Sequence, residues 1–334
     1  MMKGVAVQAP GGVDMLQVVS DIPRPSIKGE NEVLIKVMCT AVNRADTMQR
    51  MGMYPPPPGA SDIIGLEASG VIESVGPAVK RWQPGDKVMA LLAGGGYAEY
   101  AVVHEGSCMP IPEGFSFEEA AAIPEVFLTA FQAMTFQANF EKGKTLLVHA
   151  GASGIGTAAC QLARFMGGRS ITTSSASKVE ACKKFADFAV SREPGKDGKL
   201  FASKIAEEVG PNCVDVIIDP VVTGGYLEEN AEIMNLDGQI VVLAFLNGPT
   251  IKDFNCLPIF KKRGGIKFST LRSQSEEYKA SLVSRFSEVA LPGFKDGRLK
   301  PVIDKVMPLE DIAKAHSLIE ASTTIGKIIL QVQQ

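Results

Sequence analysis

Closely spaced cysteines are missing from this 334-residue sequence: Cys39, Cys108, Cys160, Cys182, Cys213 and Cys256 are each more than twenty residues from the next. Structural zinc knots and disulfide frameworks draw on thiols at short, regular spacing, so neither is expected, and the cysteines read as small buried apolar residues. Histidine is also scarce. His104, His149 and His316 read as structural rather than catalytic, although His149 ends an apolar strand next to a glycine-rich turn. No apolar run approaches the roughly 18 residues that a membrane span needs, and Met1-Met2-Lys3-Gly4-Val5 leads straight into a strand-like segment; no membrane partner and a cytoplasmic location are expected. The only cationic run is Lys261-Lys262-Arg263 in a chain of net charge −3, which gives no field suited to nucleic acid.

What is present is an ordered globular composition, with 46% hydrophobic and 21% charged residues, at a length that suggests two domains. Up to about residue 115 the text is strand and turn: Glu32 to Val42 is apolar and β-branched, followed by Tyr54-Pro55-Pro56-Pro57-Pro58-Gly59 and Gly94-Gly95-Gly96. Ser116-Phe117-Glu118-Glu119 is a capping box opening a helix, which Pro124 kinks or restarts before Phe127 to Ala138. Beyond Gly143, strands and helices alternate. Strands are expected at Thr145–His149, Ser170–Thr173, Val214–Asp219 and Gln239–Phe245, with helices at Ile155–Met166, Lys178–Phe185, Leu200–Val209 and Tyr226–Asn235. Such alternation predicts an α/β, doubly wound parallel sheet, to which a helix near Glu276–Ala290 would also belong. The tail carries a helix at Leu309–Ala321 and a strand at Lys327–Val332, and periodicity alone does not place it.

The sharpest local signal is Leu146-Leu147-Val148-His149-Ala150-Gly151-Ala152-Ser153-Gly154-Ile155-Gly156. Small residues between a buried strand and a helix let a pyrophosphate approach the backbone, where the helix offers free N–H groups and a positive dipole end. Many helices begin after glycine; the flanking strand and helix are what make this a dinucleotide turn. Roughly twenty residues on, a fold selecting NAD shows an acidic residue that holds the ribose hydroxyls. Here the stretch reads Ile171-Thr172-Thr173-Ser174-Ser175, with Lys178 beyond it and Arg192 after the next strand. Either these cations meet a ribose 2′-phosphate, which makes NADPH the cofactor, or both are solvated surface charges.

Over essentially its whole length the chain resembles the zinc-free quinone oxidoreductases of the medium-chain dehydrogenase/reductase superfamily, the zeta-crystallin-like family. The resemblance rests on Ala41–Arg50, Pro56–Ser61, Gly65-Leu66-Glu67-Ala68-Ser69-Gly70, Ala120–Glu125, Leu128–Gln132 and Ile325–Leu330. It implies a GroES-like β-barrel catalytic domain from residues 1–123 and 296–334 around a Rossmann domain from 124–295, with self-association as a homodimer or homotetramer. Zinc-dependent relatives carry ligands at positions corresponding to Asn43, Leu66 and Glu125, a set that cannot rebuild a Cys/His/Cys site. No metal is expected. Glu67 reads as a buried structural carboxylate.

By the same resemblance Asn43, Tyr54 and Thr129 lie by the nicotinamide and the acceptor; Tyr54 could equally be a packing aromatic on a proline loop. The cofactor contacts implied are Ala150, Gly151, Ser153, Gly154, Ile155 and Gly156 at the turn, and Ser174, Ser175, Lys178 and Arg192 at the adenosine end. Leu243, Ala244, Phe245, Ser269, Leu271 and Arg272 complete the set on the nicotinamide side. Ser191-Arg192 stands where the family often has Asn-Tyr, and Asp219-Pro220-Val221-Val222 where it is glycine-rich, so adenine stacking and loop geometry should differ. A quinone is electrophilic enough to need no dedicated acid, only near-attack geometry. The expected activity is therefore NADPH-dependent reduction of a quinone or other conjugated carbonyl. The rivals are an enone or alkenal reductase, which must also protonate a carbon, and a crystallin-like protein that binds NADPH in a structural or regulatory role.

Overall fold

The computed structural model describes residues 1–333, which form two compact units: Met1–Leu128 with Leu271–Gln333, and Thr129–Thr270. The first unit is built on the strand Glu32–Val42, whose apolar residues supply two buried faces. Val33, Ile35 and Val37 pack with Ile72, Val88, Ala90, Ile328 and Leu330. Cys39 and Ala41 face Ile329, Ala121 and Ala122 on the other side. All five are odd-numbered, so the change of face comes from the register shift between Val37 and Cys39, a bulge of the kind that re-aims side chains. The sheet runs in the order Ile303–Pro308, Lys327–Gln331, Glu32–Val42, Glu67–Val75, Lys87–Leu91 and Cys108–Pro110, with Tyr100–His104 also pairing Glu32–Val42. The tail is thus a strand of the first unit, with Ile328 opposite Val42.

The second unit holds a six-stranded parallel sheet in the order Phe188–Ser191, Arg169–Ser174, Thr145–Val148, Val214–Asp219, Met234–Val242, Gly265–Phe268. The first three strands in the chain run outward one way and the last three the other way. The order therefore reverses between Thr145–Val148 and Val214–Asp219, where ligands of doubly wound sheets bind. Among the described residues no helix is long and apolar enough to cross a membrane.

The helix Glu276–Lys295 does not join the parallel sheet as its sequence position suggests. Its Phe286 and Phe294 pack on Phe127, at ring-centroid distances of 6.5 and 4.9 Å, and Phe294 also meets Phe115 at 6.1 Å. That aromatic cluster moves one boundary from the expected 295/296 to 270/271. The other falls inside the helix Pro124–Phe131, at 128/129 rather than 123/124. Pro124 starts this helix, where a missing N–H does no harm. The helix expected at Lys178–Phe185 shrinks to a 3₁₀ turn, Ala176–Lys178, and one α-turn, Val179–Cys182.

Candidate functional site

The turn after Thr145–Val148 is compressed to the point where side chains do not fit. Ala150 takes a left-handed φ of 55°. A Cβ on Gly151 would lie 1.9 Å from Thr172 Oγ1, and one on Gly156 would lie 2.5 Å from the Gly151 carbonyl oxygen. The helix Gly154–Phe165 is thereby pressed against the strand end. Ser153 caps it by accepting the Gly156 N–H at 3.1 Å. The N–H groups of Gly154 and Ile155 have no helical carbonyl four residues back, which leaves them to an anion.

Beside the turn, His149 belongs to a closed buried network. Asn230 donates Nδ2–H to Asp219 (2.8 Å), so its Oδ1 accepts from His149 Nε2 (2.7 Å), and His149 Nδ1 accepts from the Thr173 hydroxyl (2.9 Å). Burial pushes the imidazole pKa down, against the pull of Asp219, and the ring is a neutral structural link. The Asp219 carboxylate also accepts the N–H groups of Val221 and Val222, giving this non-glycine loop its own support.

At the adenosine end, Ser174 and Ser191 are partners at the ends of adjacent strands, and the Arg192 N–H donates to the Ser174 carbonyl at 2.8 Å. Ser174, Ser175, Lys178 and Arg192 are thus gathered in one corner. Arg192 also hydrogen-bonds the Tyr226 hydroxyl, and Glu193 shares the corner by accepting the Ala176 N–H at 3.1 Å. Leu243, Ala244 and Phe245 follow the strand Met234–Val242, and Ser269 follows Gly265–Phe268, with its N–H on the Val242 carbonyl at 2.9 Å.

Two candidate residues of this unit carry orphaned hydroxyls. Thr129 Oγ1 and Ser269 Oγ are buried without a hydrogen-bond partner. A buried polar group left unmade costs about 1–3 kcal/mol, so both mark places that a polar ligand would complete. With the cradle at Ala150–Gly156, the residues of this unit fit a dinucleotide. Leu271 and Arg272 fall in the other unit.

In the first unit, Asn43 ends the central strand and caps the helix Arg44–Arg50. Its side chain is committed at both ends: Nδ2 donates to Glu67 Oε1 (2.8 Å) and, weakly, to the Ala41 carbonyl (3.4 Å), while Oδ1 accepts from Lys327 Nζ (2.5 Å). Lys327 also reaches Glu67 Oε1 (2.8 Å) and the Val42 carbonyl (3.1 Å), which uses all three ammonium protons. Glu67 Oε2 accepts the Glu125 N–H at 2.8 Å. Lys327 and Glu67 are almost fully buried, and a buried ion pair is tolerable only when its remaining donors and acceptors are satisfied this completely. The Asn43 amide is therefore a holder of this pair, with no strong donor left over.

The same network answers whether the positions of Asn43, Leu66 and Glu125 fit zinc. They do not: Leu66 has no donor atom, and an ammonium already occupies Asn43 and its neighbour Glu67. Among the described residues no cluster of His, Cys, Asp or Glu could hold a metal ion. The two cysteines of the first unit offer no nucleophile. Cys39 and Cys108 are buried and their thiols are pushed up to about 12 by burial.

Tyr54 is half-buried, and burial raises its phenol pKa. The Arg272 guanidinium lies over its ring at 5.3 Å. Sequence reasoning overlooked Lys327, whose only local sign is a charged residue heading the apolar run Lys327-Ile328-Ile329-Leu330. It also missed the carboxyl of Glu125, pushed up to about 8 by burial and by Glu67.

Comparison with known proteins adds to this geometry. Residues 29–113 match the alcohol dehydrogenase GroES-like domain family, and residues 194–330 the zinc-binding dehydrogenase family. The quinone oxidoreductase of Lama guanicoe is 31% identical over 99% of this chain and 97% of its own. A mycobacterial protein solved as a complex with NADPH superposes with a TM-score of 0.85 at 27% identity, covering 99% of this chain and 100% of that one. An NAD-dependent alcohol dehydrogenase superposes with a TM-score of 0.84 at 30% identity over the full length of both chains.

Proposed function

The chain belongs to the quinone oxidoreductase family, and from that premise we propose that it passes hydride from NADPH to a quinone or another conjugated carbonyl, without zinc. The preference for NADPH is carried by one observation: the strand Arg169–Ser174 ends in Ser174, followed by Ser175, instead of a carboxylate, with Lys178 in the next turn and Arg192 just past the neighbouring strand. Two cations suit a 2′-phosphate, and Glu193, the acidic group of this corner, is engaged by the Ala176 N–H. Structural relatives include both an NADPH complex and an NAD-dependent enzyme, so the residues of this corner decide.

Bound at the cradle, NADPH would supply the hydride. The chain's own part is to hold the pyrophosphate on the Gly154 and Ile155 N–H groups and to offer the Thr129 and Ser269 hydroxyls to the ring end. Tyr54 donates a hydrogen bond to the acceptor oxygen, and Asn43 holds the buried Lys327–Glu67 pair. Polarising an electrophile in this way asks little of the protein beyond orientation. Each charge-assisted hydrogen bond contributes about 1.5–3 kcal/mol, so Lys178→Ala or Arg192→Ala should raise the NADPH Kd about tenfold or more. NADH affinity should change less than about twofold. An unchanged ratio of the two affinities in fluorescence titrations would reject the assignment.

A further inference from the structure

Arg272 stands in the first unit with 5% of its surface exposed, and it makes no ion pair among the described residues. Its guanidinium is instead divided among three acceptors, each at least 179 positions away in sequence. Nε donates to the Ala93 carbonyl (2.8 Å), Nη1 to the Tyr54 carbonyl (3.3 Å) and Nη2 to Gln49 Oε1 on the helix Arg44–Arg50 (2.8 Å). Behind the fork, the Arg272 carbonyl accepts Lys279 Nζ at 2.7 Å from the long helix Glu276–Lys295. Lys279 is itself buried.

The segment so gripped cannot hold itself. Tyr54 is followed by Pro55-Pro56-Pro57-Pro58, four residues with no N–H, and residues 52–61 adopt no regular structure. Its own backbone N–H groups bond at its two ends only, from Gly52 to the Gln49 carbonyl, from Met53 to the Met48 carbonyl and from Ala60 to the Pro57 carbonyl. Burying a guanidinium without a carboxylate partner is unfavourable, and burial lowers the Arg272 pKa. Three carbonyl-type acceptors and one aromatic face offset that cost only in this geometry, because the five N–H donors of Arg lie in one fixed plane.

We infer that Arg272 is a positioning residue for Tyr54: its fork and its charge over the ring fix the tyrosine for the acceptor, and it does not bind the cofactor. The inference rests on the reading of Tyr54 as an acceptor contact. Lysine retains the charge but cannot form the fork, and glutamine retains two N–H groups without charge. Full-length protein carrying Arg272→Lys, Arg272→Gln, Tyr54→Ala and the Tyr54→Ala/Arg272→Lys pair would be compared with 1,4-naphthoquinone and NADPH. Both single Arg272 variants should raise the quinone KM about tenfold, with kcat changed less than about threefold and the NADPH Kd within about twofold. In the Tyr54→Ala background Arg272→Lys should add less than about twofold. Amide exchange across residues 52–61 should be about tenfold faster in Arg272→Lys. Additive losses in the pair, or a weakened NADPH Kd with the quinone KM unchanged, would overturn the inference. If Tyr54→Ala alone leaves quinone kinetics intact, the acceptor reading fails, and exchange decides the rest: faster exchange keeps Arg272 as the anchor of this segment, and unchanged exchange removes it.

Discussion

Asp46 lies at the centre of a directed chain of buried donors. Arg50 has no acceptor atom, so it donates to His316 Nδ1 (3.3 Å); the proton of the neutral ring is then on Nε2, facing the Tyr97 oxygen (3.2 Å), and Tyr97 donates to Asp46 Oδ2 (2.9 Å). Asp46 Oδ2 also accepts the Asn43 N–H at 2.7 Å, but Oδ1 has no partner. Burial therefore pushes the Asp46 carboxyl up to about 7 and the His316 ring down to about 3. A carboxyl raised on folding contributes stability at low pH that is lost as pH climbs to its folded value; a lowered imidazole contributes stability that is lost as pH falls below about 6.5. Between about pH 4 and 6.5 the two oppose each other. Above that window only the loss from Asp46 and from Glu125, raised to about 8, remains. The urea midpoint should fall from pH 6.5 to 8.5, and Asp46→Asn should remove only about a third of that fall, because Glu125 titrates later and carries the rest. A wild-type midpoint that is flat or rising over this range contradicts the account. None of this chain was legible in the sequence. Lys327 and Glu67 are 260 positions apart and Tyr97 and His316 are 219 apart, so their pairing is a property of the folded sheet alone.

At the scale of elements, the dinucleotide turn was readable because its cause is local: small residues between a buried strand and a helix. Its two key glycines nevertheless differ in what surrounds them. A Gly151 Cβ would meet the side chain of Thr172, whereas a Gly156 Cβ would meet the backbone of Gly151 and Ala150. Overpacking of this kind costs about 1–3 kcal/mol where neighbours can shift. Gly151→Ala should lower the thermal midpoint and the NADPH affinity, and Thr172→Ala should restore part of both. No such rescue should exist for Gly156→Ala. Equal recovery of the two by Thr172→Ala would show that the packing is read wrongly. The helix Glu276–Lys295 was assigned to the other unit because its sequence shows amphipathicity but not its partners. Phe115 and Phe127, which decide the matter, lie far back in the chain.

Across the whole molecule, the alternation of strands and helices made the parallel sheet legible, and the family resemblance placed the tail on the first unit, where the structure has it. The resemblance carried Arg272 over by position alone; that its guanidinium grips Tyr54, Gln49 and Ala93 is visible only in the fold. The outer edge of the parallel sheet carries an exposed aromatic. Gly265–Phe268 is an edge strand, with Phe268 62% exposed and stacked on Phe245 at 6.0 Å. Unpaired edge groups with an exposed aromatic invite a second copy. If the homodimer or homotetramer that the resemblance implies uses this edge, light scattering should give a smaller mass for Phe268→Glu than for wild type; an unchanged mass in the variant would move the interface elsewhere. The central claim, zinc-free hydride transfer from NADPH to a quinone, is tested most directly by steady-state turnover after exhaustive dialysis against a chelator. Naphthoquinone and a simple enone would be compared as acceptors, with NADPH and NADH as donors. The account predicts undiminished turnover of the quinone, faster with NADPH than with NADH and faster than that of the enone. Loss of turnover that stoichiometric zinc restores, or cofactor binding without quinone reduction, would contradict it.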